Sequence, residues 1–132
     1  FPDLYAVKLD AAGQHLWSRH VSGIYDEQLA SLSFERSELT FVGSFSGSVE
    51  VNGGGLVGRS DLDMFTATVA RTGKFLRGRT FGDKLKQTAS GGAARCGQVV
   101  LAGCCRGRVA FLPREATVGG TSCELCIARV DQ

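Results

Sequence analysis

Asp3-Leu4-Tyr5-Ala6-Val7-Lys8-Leu9-Asp10-Ala11-Ala12-Gly13 is the stretch that decides the fold. Tyr5, Val7 and Leu9 recur at every second position, the period of a β-strand. Leu4 and Ala6 on the opposite face are apolar as well. A sheet built on such a strand has to be covered on both faces. The strand ends at Asp10-Ala11-Ala12-Gly13, where glycine supplies the positive φ of a tight turn. Three further strands follow by the same reasoning: His15 to Val21, Leu29 to Phe34 and Leu39 to Phe45. A polar turn, Glu35-Arg36-Ser37-Glu38, separates the last two.

The pattern returns sixty residues on. Asp3 matches Asp63, Gly13 matches Gly73, Leu16 matches Leu76 and Arg19 matches Arg79. Gly43, Gly47 and Val49 match Gly103, Gly107 and Val109. Tyr5, Val7 and Leu9 return as Phe65, Ala67 and Val69 and, with one inserted residue, as Cys126, Ala128 and Val130. Such self-similarity marks a repeat architecture. The units run approximately 3–62 and 63–122, and a third begins at 123–132, all within one segment, 1–132. Four short antiparallel strands covered on both sides by copies of themselves describe the blade of a β-propeller. The expectation is therefore an all-β chain of about two blades plus partial strands. It would hold the last two strands of one blade, a whole blade and the first three strands of another. A start out of phase with the repeat predicts a fragment, or a unit completed by other copies. A β-sandwich is the structural competitor, and the regular period counts against it.

At these residues the sequence resembles a known family. Asp3 to Gly13 with Leu16-Trp17-Ser18-Arg19, and Phe41-Val42-Gly43-Ser44-Phe45-Ser46-Gly47, look like the bacterial seven-bladed β-propeller repeats of the SBBP type. The resemblance covers nearly the whole chain and is sharpest in the first repeat. In the second, Arg77 replaces Trp17, and Cys104-Cys105 replaces Ser44-Phe45. Leu9 to Trp17 is also similar to quinoprotein-type propeller repeats, whose blades are usually shorter. The first resemblance implies a bacterial, exported or surface protein with a scaffold or binding role and no chemistry.

Composition narrows the function classes. The chain has 132 residues, enough for one ordinary domain. No run of eighteen apolar residues occurs, which excludes a helical membrane span, and Phe1-Pro2-Asp3-Leu4 lacks a signal-peptide pattern. Glycine is abundant, with 18 residues clustered as at Gly53-Gly54-Gly55, which fits frequent turns. The net charge of +2 hides an asymmetry: residues 1–66 carry nine acids and four bases, residues 67–132 eleven bases and four acids. Two differing solvated faces explain this, as does head-to-tail attraction between copies or an anionic ligand on the basic half. No basic run is interleaved with aromatics, so nucleic acid is not an expected partner.

Candidate sites are few. All five cysteines lie in the second half: Cys96, Cys104, Cys105, Cys123 and Cys126. Cys123-Glu124-Leu125-Cys126 has the CxxC spacing of metal and redox motifs. Neighbours on a strand point oppositely, so Cys104 and Cys105 would not aim at one ion. Buried thiols or a disulfide remain, and any bridge is expected to join Cys104 or Cys105 to Cys123 or Cys126. His15 and His20, five apart on one strand, are expected on opposite faces and hence in no shared metal site. Ser60-Asp61-Leu62-Asp63 lacks the oxygen ligands of a calcium loop, and Asp3 and Asp63 are expected to serve turns. Trp17 and Tyr25 are the candidate ligand-binding residues: exposed aromatics beside polar loops could stack on sugar, although a propeller tryptophan also packs between blades. No nucleophile elbow, phosphate loop or acid pair is recognisable, and Gly53-Gly54-Gly55 is a turn cluster.

The reading is thus a non-enzymatic binding or structural module, with no catalytic residue, metal or cofactor assigned and recognition by loops at the blade ends. One rival is a carbohydrate-binding lectin assembled from blades; another is an enzyme whose site needs the complete propeller. Expected partners are further blades or copies of the chain, and a protein or glycan ligand. Outer sheet faces are expected to expose residues of the kind Tyr5, Val7, Leu9, Phe41 and Phe65. An extracellular or cell-surface location is expected.

Overall fold

A computed structural model of the chain describes residues 3–51, 53–59, 61–111, 114–117 and 121–131. All regular structure among them is β-strand: β1 (Leu4–Leu9), β2 (His15–Gly23), β3 (Glu27–Glu35), β4 (Glu38–Phe45), β5 (Ser48–Val51), β6 (Gly54–Val57), β7 (Asp63–Ala70), β8 (Phe75–Phe81), β9 (Thr88–Arg95), β10 (Gln98–Cys105), β11 (Arg108–Phe111), β12 (Arg114–Thr117) and β13 (Glu124–Asp131). The first sheet has the order β1-β2-β5-β6, the second β3-β4-β7-β8 and the third β13-β10-β9, with β11-β12 a separate hairpin. Neighbouring strands pair antiparallel throughout. All-β architecture and four-stranded antiparallel sheets follow directly.

Residues sixty apart adopt the same local geometry. Gly13 and Gly73 have φ of 80° and 81°, and each donates its N–H to the carbonyl three residues back, Asp10 at 3.0 Å and Ala70 at 2.8 Å. Gly47 and Gly107 likewise have φ of 76° and 64°. The register between β1 and β2 slips at Leu16, and that between β7 and β8 slips at Leu76. The bulges of β3 at Ala30 and of β9 at Ser90 correspond in the same way.

Two short hairpins depart from the four-strand unit read in the sequence. β5-β6 interrupts the path from β4 to β7 and pairs Val51, Glu50 and Val49 with Val21, Ser22 and Gly23 of β2. It thereby widens the first sheet with residues that follow β4 in the chain. β11-β12 sits at the corresponding place after β10.

The sheets pack through two cores. In the first, Val21, Val49 and Val51 of the first sheet meet Phe41, Phe45 and Phe65 of the second, with Leu4 and Ala6 of β1 against them. Phe45 and Phe65 pack edge to face, centroids 5.6 Å apart. In the second, Val42, Met64 and Phe81 meet Val99, Leu101 and Val130 of the third sheet. The second sheet is therefore the covered one. Phe41 and Phe65 do not face solvent as expected; they are 4% and 1% exposed because the first sheet lies on them. Tyr5, Val7 and Leu9 do lie exposed on the far face of the first sheet.

Candidate functional site

Trp17 is a packing residue. Its indole N–H donates to the Arg71 carbonyl at 2.8 Å, across the gap to the β7-β8 turn of the second sheet. Arg19 reaches the same turn, at the Thr72 carbonyl (2.9 Å) and the Gly73 carbonyl (3.2 Å), with its guanidinium 5.5 Å from the Trp17 ring centroid. Lys8 Nζ adds a bond to the Arg71 carbonyl. Three side chains on one face of β1 and β2 thus hold the neighbouring turn by its carbonyls. Arg77, the counterpart of Trp17, does different work and pairs with Glu38. Tyr25 lies at the other end of β2, half exposed, its ring against Gly47. Six residues of extended chain, about 20 Å, separate Trp17 from the end of β2, and Tyr25 follows in the bend beyond it, so the two aromatics form no common platform.

The histidines correct the parity argument. Leu16 is a bulge, and His15, Ser18 and His20 pair with Leu9, Val7 and Tyr5, which places both histidines on one face. His15 Nε2 bonds Ser18 Oγ, and His20 Nε2 lies 3.0 Å from Asp3 Oδ2. A histidine is therefore within hydrogen-bond reach of a serine. Among the described residues no carboxylate bonds His15, so the orienting group of a catalytic triad is missing from that pair. Among the described residues Asp3 pairs with His20, whereas buried Asp63 accepts the Arg59 backbone N–H. No group of three His, Cys, Asp or Glu side chains suited to a metal occurs among the described residues.

Disulfides join Cys104 to Cys123 and Cys105 to Cys126, with Cα atoms 5.3 and 5.8 Å apart. Adjacent on β10, Cys104 and Cys105 point to opposite faces. Cys105 is fully buried in the second core with Cys126 against it. Cys96 is a free, exposed thiol.

Glu27 stands at the start of β3. It is 3% exposed, and neither carboxylate oxygen has a hydrogen-bond partner among the described residues. Burial raises its pKa, and Asp3 and Asp26 raise it further against an opposing effect of His20. Gln87 occupies the position sixty residues on, equally buried, and is fully engaged. Its amide donates to Asp83 Oδ1 and to the carbonyls of Leu85 and Arg106, and its oxygen accepts the Arg106 N–H at 2.8 Å. Asp83 completes that clamp by accepting the Leu85 and Arg108 N–H groups. In the first unit Gly23 stands where Asp83 does, and Glu27 fills the space above it.

Glu27→Gln is therefore expected to stabilise the chain at neutral pH by about 1–2 kcal/mol, by removing a buried, unsatisfied charge. The sign of the pH dependence follows from the raised pKa. Glu27 favours the folded state below the ordinary carboxyl pKa, and that advantage is lost as pH rises through its folded value. Urea titrations of both proteins at pH 5 and pH 8 should show the variant's gain growing with pH. An equal or lower midpoint for the variant at pH 8 would contradict this account.

Among the described residues, grooves open between the elements. One of about 720 Å³ runs between β6 and β8, lined by Leu56, Arg59, Arg79 and Phe81. One of about 520 Å³ is lined largely by backbone at Gly23, Ser48 and Gly53-Gly54-Gly55. Another, about 160 Å³ and mostly apolar, lies beside β1 and β3. Neither His15 nor Ser18 lines any of these. No helix among the described residues is long and apolar enough to cross a membrane. The chain matches no family model and no curated protein.

Proposed function

We propose that the chain is a β-propeller segment acting as a non-enzymatic binding or structural module, completed by further blades or by copies of itself. One observation carries the reading. Tyr5, Val7 and Leu9 are 65%, 49% and 53% exposed, whereas Phe65, Ala67 and Val69, sixty residues on, are buried under the first sheet. On the opposite side Leu125 and Ile127 are 78% and 69% exposed, whereas Met64 and Thr66 at the corresponding positions are buried under the third. Each outer face thus repeats an inner face that has a partner. Covering such side chains is worth roughly 1.5–3 kcal/mol apiece, enough to drive association.

The seven-bladed bacterial repeat family remains the family proposed, on the residues quoted above. Two disulfides support an oxidising location, extracellular or on a cell surface. The lectin alternative draws less support, because the Trp17 indole is engaged by Arg71. Light scattering over a range of salt concentrations tests the proposal. The expected mass exceeds the 14.0 kDa of one chain. It should fall as salt screens the acidic first half from the basic second half. A monomer at high protein concentration and low salt would reject it.

A further inference from the structure

We infer that the open edge of β1 is a docking site for an extended β-strand carrying small residues on the face turned toward Leu32 and Phe34. The inference rests on the stacking reading above and specifies the partner for one edge. Among the described residues β1 pairs only with β2, so its other edge has unpaired backbone groups available for strand addition. Beside that edge lies the apolar groove of about 160 Å³, lined by Trp17, Leu32, Phe34, Leu39 and Ala70. Leu32 and Phe34 of β3 are 54% and 65% exposed there.

The strand that fits can be read from the second sheet. β7, sixty residues after β1, is paired on that edge by β4, with Thr40 opposite Thr68 and Val42 opposite Thr66. The matching positions on β1 are Lys8 and Ala6. Both face the second sheet: Ala6 packs in the first core and Lys8 bonds the Arg71 carbonyl. Cross-strand neighbours share a face. Residues of an added strand at the Thr40 and Val42 positions therefore face the groove, against Phe34 and Leu32.

Size sets the selectivity. On the covered side, the β9 positions corresponding to Leu32 and Phe34 are Gly92 and Ala94. A Cβ on Gly92 would stand 3.0 and 3.2 Å from the two methyls of Val42, so β4 and β9 are close because β9 is bare there. Leu32 and Phe34 fill that space on the open side. A strand with valine at the facing position would clash, and one with alanine would fit.

The test uses the chain as it stands and two octapeptides that copy Glu38–Phe45, one unchanged and one carrying T40A and V42A. Trp17 is the chain's only tryptophan and lines the groove, so its emission reports binding. The alanine peptide is expected to bind at least tenfold more tightly than the unchanged one. An L32G/F34A chain, which reproduces the Gly92 and Ala94 pair, is expected to reverse the order. Equal binding of both peptides to the unmodified chain would overturn the size rule while leaving the stacking reading intact. Failure of both peptides to bind would overturn the docking edge itself; the light-scattering mass judges the stacking reading separately.

Discussion

Gly43→Ala is expected to destabilise the chain by about 3 kcal/mol, and Gly103→Ala by a similar amount. At each position the added Cβ meets backbone that cannot swing aside. On Gly43 it would stand 2.2 Å from the Gln28 carbonyl oxygen and 2.8 Å from the Phe65 ring. On Gly103 it would stand 2.1 Å from the Thr88 carbonyl oxygen and 3.0 Å from the Ala89 Cα. The cause is the bulge. Ala30 is extra in β3 opposite β4, and Ser90 is extra in β9 opposite β10, so the bulged strand bends onto its partner beside the glycine. Neither glycine has a positive φ. Strain in the left-handed region is thus not the reason, and the loss should follow side-chain volume. Urea denaturation of Gly43→Ala and Gly43→Ser tests this. Midpoints within error of the parent would show that the bulge opens without cost.

How much of this was legible depended on whether the information was local. β1 and β7 could be read because each is apolar on alternate positions and ends in a glycine turn. Gly43 and Gly103 stood out as matched positions, but the carbonyls that exclude a side chain there belong to a partner strand, and the register is not written locally. The β5-β6 hairpin is not legible because Gly53-Gly54-Gly55 breaks the period-2 pattern that marks a strand. Its pairing with β2 is also nonlocal. The histidine error has one cause, the bulge at Leu16, which resets strand parity between His15 and Ser18. An apolar face such as that of Phe41 and Phe65 looks the same in sequence whether or not a sheet lies on it. Glu27 had a signal that could have found it: it aligns with Gln87, and an exchange of amide for carboxylate between two otherwise matched positions marks a change in what the site must hold. That Gln87 lies inside a hydrogen-bonded clamp, and Glu27 does not, required coordinates.

Removing both disulfides is expected to cost about 3 kcal/mol, whereas removing either alone should cost much less. The bridges span 19 and 21 residues and share almost the same loop, from the end of β10 to the start of β13. A single closure of that size restricts the unfolded chain by about 3 kcal/mol, and the second adds little because the ends are already held. Cys104→Ala with Cys123→Ala removes the bridge whose Cys123 end is exposed, and leaves the loop closed by the other. Cys105→Ala with Cys126→Ala should cost more than that pair, because Cys105 is fully buried among Val99, Leu101 and Val109 and its loss opens space there. The quadruple alanine variant should then fall by more than the sum of the two pairs, a direct measure of the shared loop. In melting experiments the quadruple variant should lose about 10 °C. Hydrogen exchange should place the loss in β13, which among the described residues is an edge strand paired to the third sheet only through β10. Equal and additive losses for the two pairs would mean that the bridges act on the folded sheet and not on the unfolded loop.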